Sequence, residues 1–191
     1  VPYEKNQDSI SYVADQLREL KKFLEDVGGK KISEQSVQRA VANSNEAASY
    51  YSSQLALRKD HDPVTSLTDE LYAIFMCHLL AGSEESLKYT KMLLEDVTKA
   101  PKGEGLHILW MHMMPFLQEP VKDVFNYSQN VHIRACDFVA DGFQRMQASD
   151  PYEALAEKMV NCIYNGSVKQ RIRRAQELAN LTEADGGILF A

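Results

Sequence analysis

Cysteine is scarce in this chain of 191 residues, and what there is of it is scattered. Cys77, Cys136 and Cys162 are far apart and form no CxxC pair. An odd number without close spacing disfavours a disulfide framework or a self-contained zinc site, and it makes a reducing cytoplasm the natural setting. Long apolar runs are also missing. No stretch approaches the length of a membrane span and no signal peptide is visible, so no membrane partner is expected. Basic charge is in deficit: 21 lysines and arginines face 27 acidic residues, for a net charge of -6. That balance argues against a nucleic-acid partner, which usually needs a basic face. One basic run exists at Lys169, Arg171, Arg173 and Arg174; it has acidic neighbours on a helical pattern and reads as a solvated helix face. An initiator methionine is lacking at Val1, which suggests an excised piece of a longer chain.

What is present is ordinary for a globular protein, with 45% hydrophobic and 25% charged residues. The length suits one large domain or two small ones and can bury a core without metals or disulfides. Residues 1–100 read as helices. Ile10, Val13, Leu17, Leu20, Leu24 and Val27 recur every three or four residues, the spacing of one apolar helix face, and Gly28 and Gly29 stop it. Ser33 is a good cap for a second helix reaching about Arg58, with Val37, Val41, Ala48, Tyr51 and Leu55 packed inward. Thr68 is expected to cap a third helix through Leu80, and Ser83 a fourth to about Lys99.

Beyond a polar linker at 101–105 the pattern changes. Leu106–Met111, Val131–Cys136 and Gly187–Phe190 read as buried strands. A helix from Pro120 to about Tyr127 separates the first two. A polar loop follows the second strand. Asp150 and Pro151 then open a helix to about Tyr164, and another covers about Ser167 to Asn180. Strands alternating with helices imply parallel pairing through crossovers. The expected fold is therefore α/β: an all-helical region over 1–100, and over 101–191 a flavodoxin-like parallel sheet of about three strands. So thin a sheet, with Ala191 directly after its last strand, suggests truncation, because parallel sheets are covered on both faces.

Open α/β sheets bind ligands beyond the carboxyl ends of their strands. Those ends deliver His112, Met113, Met114, Pro115 and Phe116 from the first strand, Asp137 and Phe138 from the second and Ala191 from the third. His112 is the principal candidate, as a hydrogen-bond donor to a carbonyl or as an acid or base; the alternative is a histidine that bonds backbone at the sheet end. Met111, Met113 and Met114 offer a soft apolar wall, or simply core. Asp137 either binds a ligand hydroxyl or caps the next turn, and the cap is the more usual role. His78, His107 and His132 read as packing or surface residues, and His61 in a loop beside Asp62 forms too common a pair to suggest a metal site. GxGxxG, the P-loop lysine motif and GxSxG are all absent, which disfavours dinucleotide, P-loop and serine-hydrolase chemistry.

Several segments are similar to one family. VPYEKNQDSISYVADQLRELKKFLEDVGGKKIS at the start, HILWMHMMPF at His107–Phe116, DPYEALAEKMVNCIYNGS at Asp150–Ser167 and ADGGILF at Ala184–Phe190 resemble successive segments of the 2-hydroxyacyl-CoA dehydratase and benzoyl-CoA reductase family, D-component type. The resemblance covers nearly the whole chain. It implies a lyase subunit acting on an acyl-CoA substrate, a related second subunit, an ATP-hydrolysing activator protein and a radical elimination of water. It also implies a 4Fe-4S cluster in the full-length protein. Cys77, Cys136 and Cys162 match none of the family's ligand positions, so no iron is expected on this piece and isolated activity is not expected. The alternatives are a related ATP-driven reductase of benzoyl-CoA type and a non-catalytic interaction module.

Overall fold

The computed structural model describes residues 1–113, 115 and 117–190, with the backbone alone at Leu71. Side-chain caps set most of its helix starts. The Asn6 side chain accepts from the Ser9 amide and opens α1 (Gln7–Gly28), which ends at Gly29 in the left-handed conformation, φ 62°. Ser33 caps α2 (Glu34–Leu57) and Ser83 caps α4 (Glu84–Lys99), as their sequences suggest. The third helix differs. Its cap is Ser66, two residues before Thr68, because Ser66 and Asp69 exchange side-chain and backbone hydrogen bonds in a capping box. This helix, α3, spans Leu67–His78.

The strands are β1 (Leu106–His112), β2 (Val131–Cys136) and β3 (Gly186–Phe190). They form a parallel sheet in the order β2-β1-β3, the expected α/β arrangement. The connection from β1 to β2 carries α5 (Glu119–Phe125). The connection from β2 to β3 differs from the sequence reading. The residues after β2 form a short helix, α6 (Asp137–Gly142), where a polar loop is expected. Its Val139 and Ala140 are buried, and a Cβ at Gly142 would overlap the Cys77 sulfur of α3. Tertiary contact with α3 therefore favours a helix that the local composition does not advertise. Next come α7 (Pro151–Asn161), capped by Asp150, a 3-10 turn at Ile163–Asn165, and α8 (Val168–Thr182), capped by Ser167. The turn shortens α7 relative to the expectation of a helix to Tyr164.

The larger core takes Tyr51 and Leu55 from α2, Cys77 from α3, Trp110 from β1, Phe143 after α6 and Leu178 from α8. Trp110 is fully buried, and its indole N–H donates to the Met113 carbonyl at 2.8 Å. Val37 and Val41 are only half-buried, and the burial in α2 lies further along, at Ala47, Ala48, Tyr51 and Leu55. A second core joins α1 to α7 through Val13, Ala14, Tyr152, Ala156 and Val160. The apolar face of α1 is covered only along its first half. Leu20, Leu24 and Val27 are exposed, contrary to the periodicity-based expectation.

A buried ion pair closes the amino end of the sheet. Arg134 of β2 makes two 2.8 Å bonds to Asp62, Nε to Oδ1 and Nη2 to Oδ2, and donates to the Thr182 and Glu183 carbonyls at the end of α8. Asp62 also accepts the Gly103 amide, and His107 lies between Asp62 (3.4 Å) and Asp185 (3.0 Å). Burial alone would raise the Asp62 carboxyl. The Arg134 bonds, the Gly103 amide and the nearby cations outweigh it and hold the carboxyl below the usual aspartate range. Nearby, Arg58 bridges α2 to β2, donating to Gln54 and to the Ile133 carbonyl.

Candidate functional site at the carboxyl end of the sheet

β1 ends at His112, whose φ of 73° lies in the left-handed region. A side chain with a Cβ occupies that region at a cost, and such residues concentrate where surrounding structure over-determines them. Here the Asp137 carboxylate accepts the His112 amide at 2.7 Å, tying the end of β1 to the end of β2. Asp137 is therefore not a local turn cap; it spans two strands. The imidazole Nδ1 lies 3.3 Å from the Phe190 carbonyl of β3. A carbonyl only accepts, so the tautomer that makes this bond carries its proton on Nδ1 and leaves Nε2 as an acceptor. Nε2 has no protein partner among the described residues.

A cavity of 360 Å³ opens beside this histidine. Met111, His112 and Leu189 line it from the strands and Asp137 from α6, while Val168, Arg171, Ile172 and Ala175 line it from α8. The α8 residues share one face because their spacing is three and four. Leu189 and Ile172 are 66% and 54% exposed, so the apolar lining meets solvent.

Behind the cavity, Tyr164 packs on Phe138 and under the Arg171 guanidinium, 4.8 Å from the ring centroid. Its hydroxyl is buried and has no hydrogen-bond partner among the described residues. Burial, and after it the Asp137 charge, pushes the phenol up. Asp141 of α6 accepts from Arg174 and Gln144 through Oδ1, whereas its buried Oδ2 has no partner among the described residues. Burial raises this carboxyl, and the Arg174 charge opposes the shift without cancelling it. The basic run is thus only partly a solvated face, since Arg171 and Arg174 are engaged in these contacts.

Of the residues predicted from strand ends, the fold brings Met111, His112 and Asp137 together at the cavity. Met113 is exposed on its side chain, and Pro115 is buried away from the lining. Met114, Phe116 and Ala191 lie outside the described residues. Phe138 packs between Tyr164 and His78. Sequence reasoning missed the α8 wall, although Val168, Ile172 and Ala175 form an apolar stripe with helical spacing. Among the other histidines, His61 bonds the Ala100 carbonyl and His132 the Glu104 carbonyl, both with packing roles.

The cysteines stand apart from this site as potential ligands. Cys77 and Cys136 are buried in the core, and burial pushes the Cys77 thiol up to about 12 and the Cys136 thiol higher still. No three His, Cys, Asp or Glu side chains among the described residues are grouped to hold a metal. Among them, too, no helix is long and apolar enough to cross a membrane.

Comparison with curated proteins returns no match. The family model described as 2-hydroxyglutaryl-CoA dehydratase, D-component, matches residues 1–191. With its helical first half and parallel sheet, the chain belongs to the 2-hydroxyglutaryl-CoA dehydratase D-component family.

Proposed function

We propose that this chain supplies part of the acyl-binding site of a 2-hydroxyacyl-CoA dehydratase subunit, with His112 as its acid–base residue. One observation supports this most: a strained histidine, tied through its backbone to Asp137 and through its ring to Phe190, borders a mainly apolar cavity at the strand carboxyl ends. Such crevices are where open α/β sheets place ligands. An acyl chain fits against Met111, Ile172 and Leu189. In the tautomer favoured by Phe190, Nε2 accepts a hydrogen bond from the substrate hydroxyl. Nε2 then takes the proton from C3 and gives it to the departing C2 oxygen, so that the C3–H and C2–O bonds break and water and the 2-enoyl thioester form. Met113, Met114, Pro115 and Phe116, which follow β1 in the sequence, are proposed to face the substrate or the cluster.

The family implies a 4Fe-4S cluster. The described residues do not fit one, because no three His, Cys, Asp or Glu side chains among them are grouped to hold a metal and burial pushes the two core thiols up. No step is assigned to the cluster. Its ligands, a related second subunit, an ATP-hydrolysing activator and a cytoplasmic setting are part of the proposal by family. So is the division into a helical region over 1–100 and an α/β region over 101–191.

The test is anaerobic turnover of 2-hydroxyacyl-CoA by the full-length subunit with its partner, activator and reductant. His112→Ala should lower kcat by roughly 10²–10⁴-fold, the usual contribution of a positioned acid or base. His112→Gln keeps a polar group and should not restore it. Unchanged turnover with a lower melting temperature would make His112 structural. Ring reduction of an aromatic thioester in place of dehydration would keep the site and change the reaction.

A further inference from the structure

A second cleft lies on the other side of α8. It measures 640 Å³ and is lined by Tyr3, Glu4, Lys5 and Asn6 from the start of the chain and by Ser167, Lys169, Gln170 and Arg173. The chain carries a net charge of -6, yet three cations and one carboxylate face this cleft. The carboxylate, Glu4, accepts from Asn6. Lys169 and Arg173 make no ion pair among the described residues, unlike Arg174 of the same run. Being four apart, they sit on one face of the helix.

The opposite wall is anchored. Asn165 donates to the Pro2 carbonyl at 2.8 Å, and the Lys5 ammonium donates to the Asn161 and Cys162 carbonyls at 3.1 and 3.2 Å. The exposed ring of Tyr3 stands on the segment these bonds fix. The Ser167–Gln170 capping box engages the Gln170 amide, and the proposed recognition rests on the side chains. Cations recognise phosphate oxygens, and an exposed aromatic ring offers a stacking surface for a purine.

We propose that this cleft binds the phosphorylated adenosine end of a CoA thioester, with Lys169 and Arg173 on the phosphates and Tyr3 against the purine. The proposal rests on the reading above, because it places the two ends of one ligand in the two cavities that flank α8. Val168, Arg171 and Ile172 face the acyl cavity, and Lys169, Gln170 and Arg173 face the cleft.

Calorimetry on the full-length subunit tests it, with adenosine 3′,5′-bisphosphate and inorganic phosphate as probes. The bisphosphate should bind at least tenfold more tightly than phosphate. The double substitution Lys169→Glu with Arg173→Glu, on exposed positions, should weaken the bisphosphate by about tenfold or more, as expected for losing charge-assisted bonds. His112→Ala should leave bisphosphate affinity unchanged. In turnover, the double variant should raise KM for the CoA thioester and leave a pantetheine thioester unaffected. No bisphosphate binding by the unsubstituted subunit, equal binding of phosphate, or an unmoved affinity or KM in the double variant would each overturn the cleft assignment. Charge-dependent bisphosphate binding by a subunit that fails to dehydrate would refute the dehydratase reading and leave the cleft in place.

Discussion

The two ends of the parallel sheet are built on opposite terms. At the amino end, Asp62 and Arg134 meet in two 2.8 Å bonds, and Arg134 goes on to satisfy two carbonyls. The Asp62 side chain is 1% exposed, and its neighbours hold its charge. At the carboxyl end, His112 is strained, an apolar wall meets solvent, and Tyr164 Oη and Asp141 Oδ2 are buried without partners among the described residues. Asp62 is held below the ordinary carboxylate range and Asp141 above it. The contrast separates an end optimised for stability from one where unmet capacity is retained. Departures from local energetic consistency concentrate at functional sites.

The largest effect should come from breaking the closed end. Arg134→Met leaves Asp62 buried without its partner and should cost about 3–5 kcal/mol in urea denaturation. Adding Asp62→Leu should recover much of that loss, since a buried pair often replaces well with apolar groups. A double variant as unstable as the single one would show that the Arg134 bonds to the α8 carbonyls dominate.

At the strained end the sign should reverse. His112→Gly removes the Cβ that a φ of 73° penalises, and should raise stability by up to about 1 kcal/mol while lowering turnover as His112→Ala does. A melting temperature that falls would mean the ring contact to Phe190 outweighs the strain.

Acid should separate the ends further. Asp62, with its folded value lowered, contributes stability above the unfolded aspartate value of about 3.9; that stability is lost as pH falls through the lower folded value. Asp141, with its value raised, contributes stability fully below that same unfolded value, and loses it as pH rises through the folded one. Asp62→Asn should flatten the acid side of a stability–pH curve, and Asp141→Asn should make it steeper. Identical curves for the two variants would refute the contrast. The smallest effect is expected at the rim: Ile172→Ser, at an exposed position, should change stability by less than about 0.5 kcal/mol. It should nevertheless raise KM for acyl substrates, and an unchanged KM would remove Ile172 from the acyl wall.

Much of this frame was legible from residues in local contact. Ser33, Ser83 and Asp150 are caps, and β2 has the bounds its apolar run suggests, because both features depend on neighbours in sequence. The strand-end rule led to His112 and Asp137. What was illegible depends on contacts distant in sequence. α6 forms where Gly142 lets it approach Cys77, and the Asp141–Arg174 pair joins residues 33 apart. The periodicity of α1 identifies a face but says nothing of how far along it a partner runs, which is why Leu20, Leu24 and Val27 are exposed.

The pairing of α1 with α7 also carries a consequence for the order of events during synthesis. Val13 and Ala14 are covered by Tyr152, Ala156 and Val160, residues made long after them. At roughly 5–20 residues per second, α1 waits on the order of ten seconds for its cover. Throughout that interval its apolar face is open to any passing chain. This helix is therefore made long before the residues that bury it, and slowing the ribosome before Pro151 should increase aggregation of the nascent protein more than slowing it afterwards.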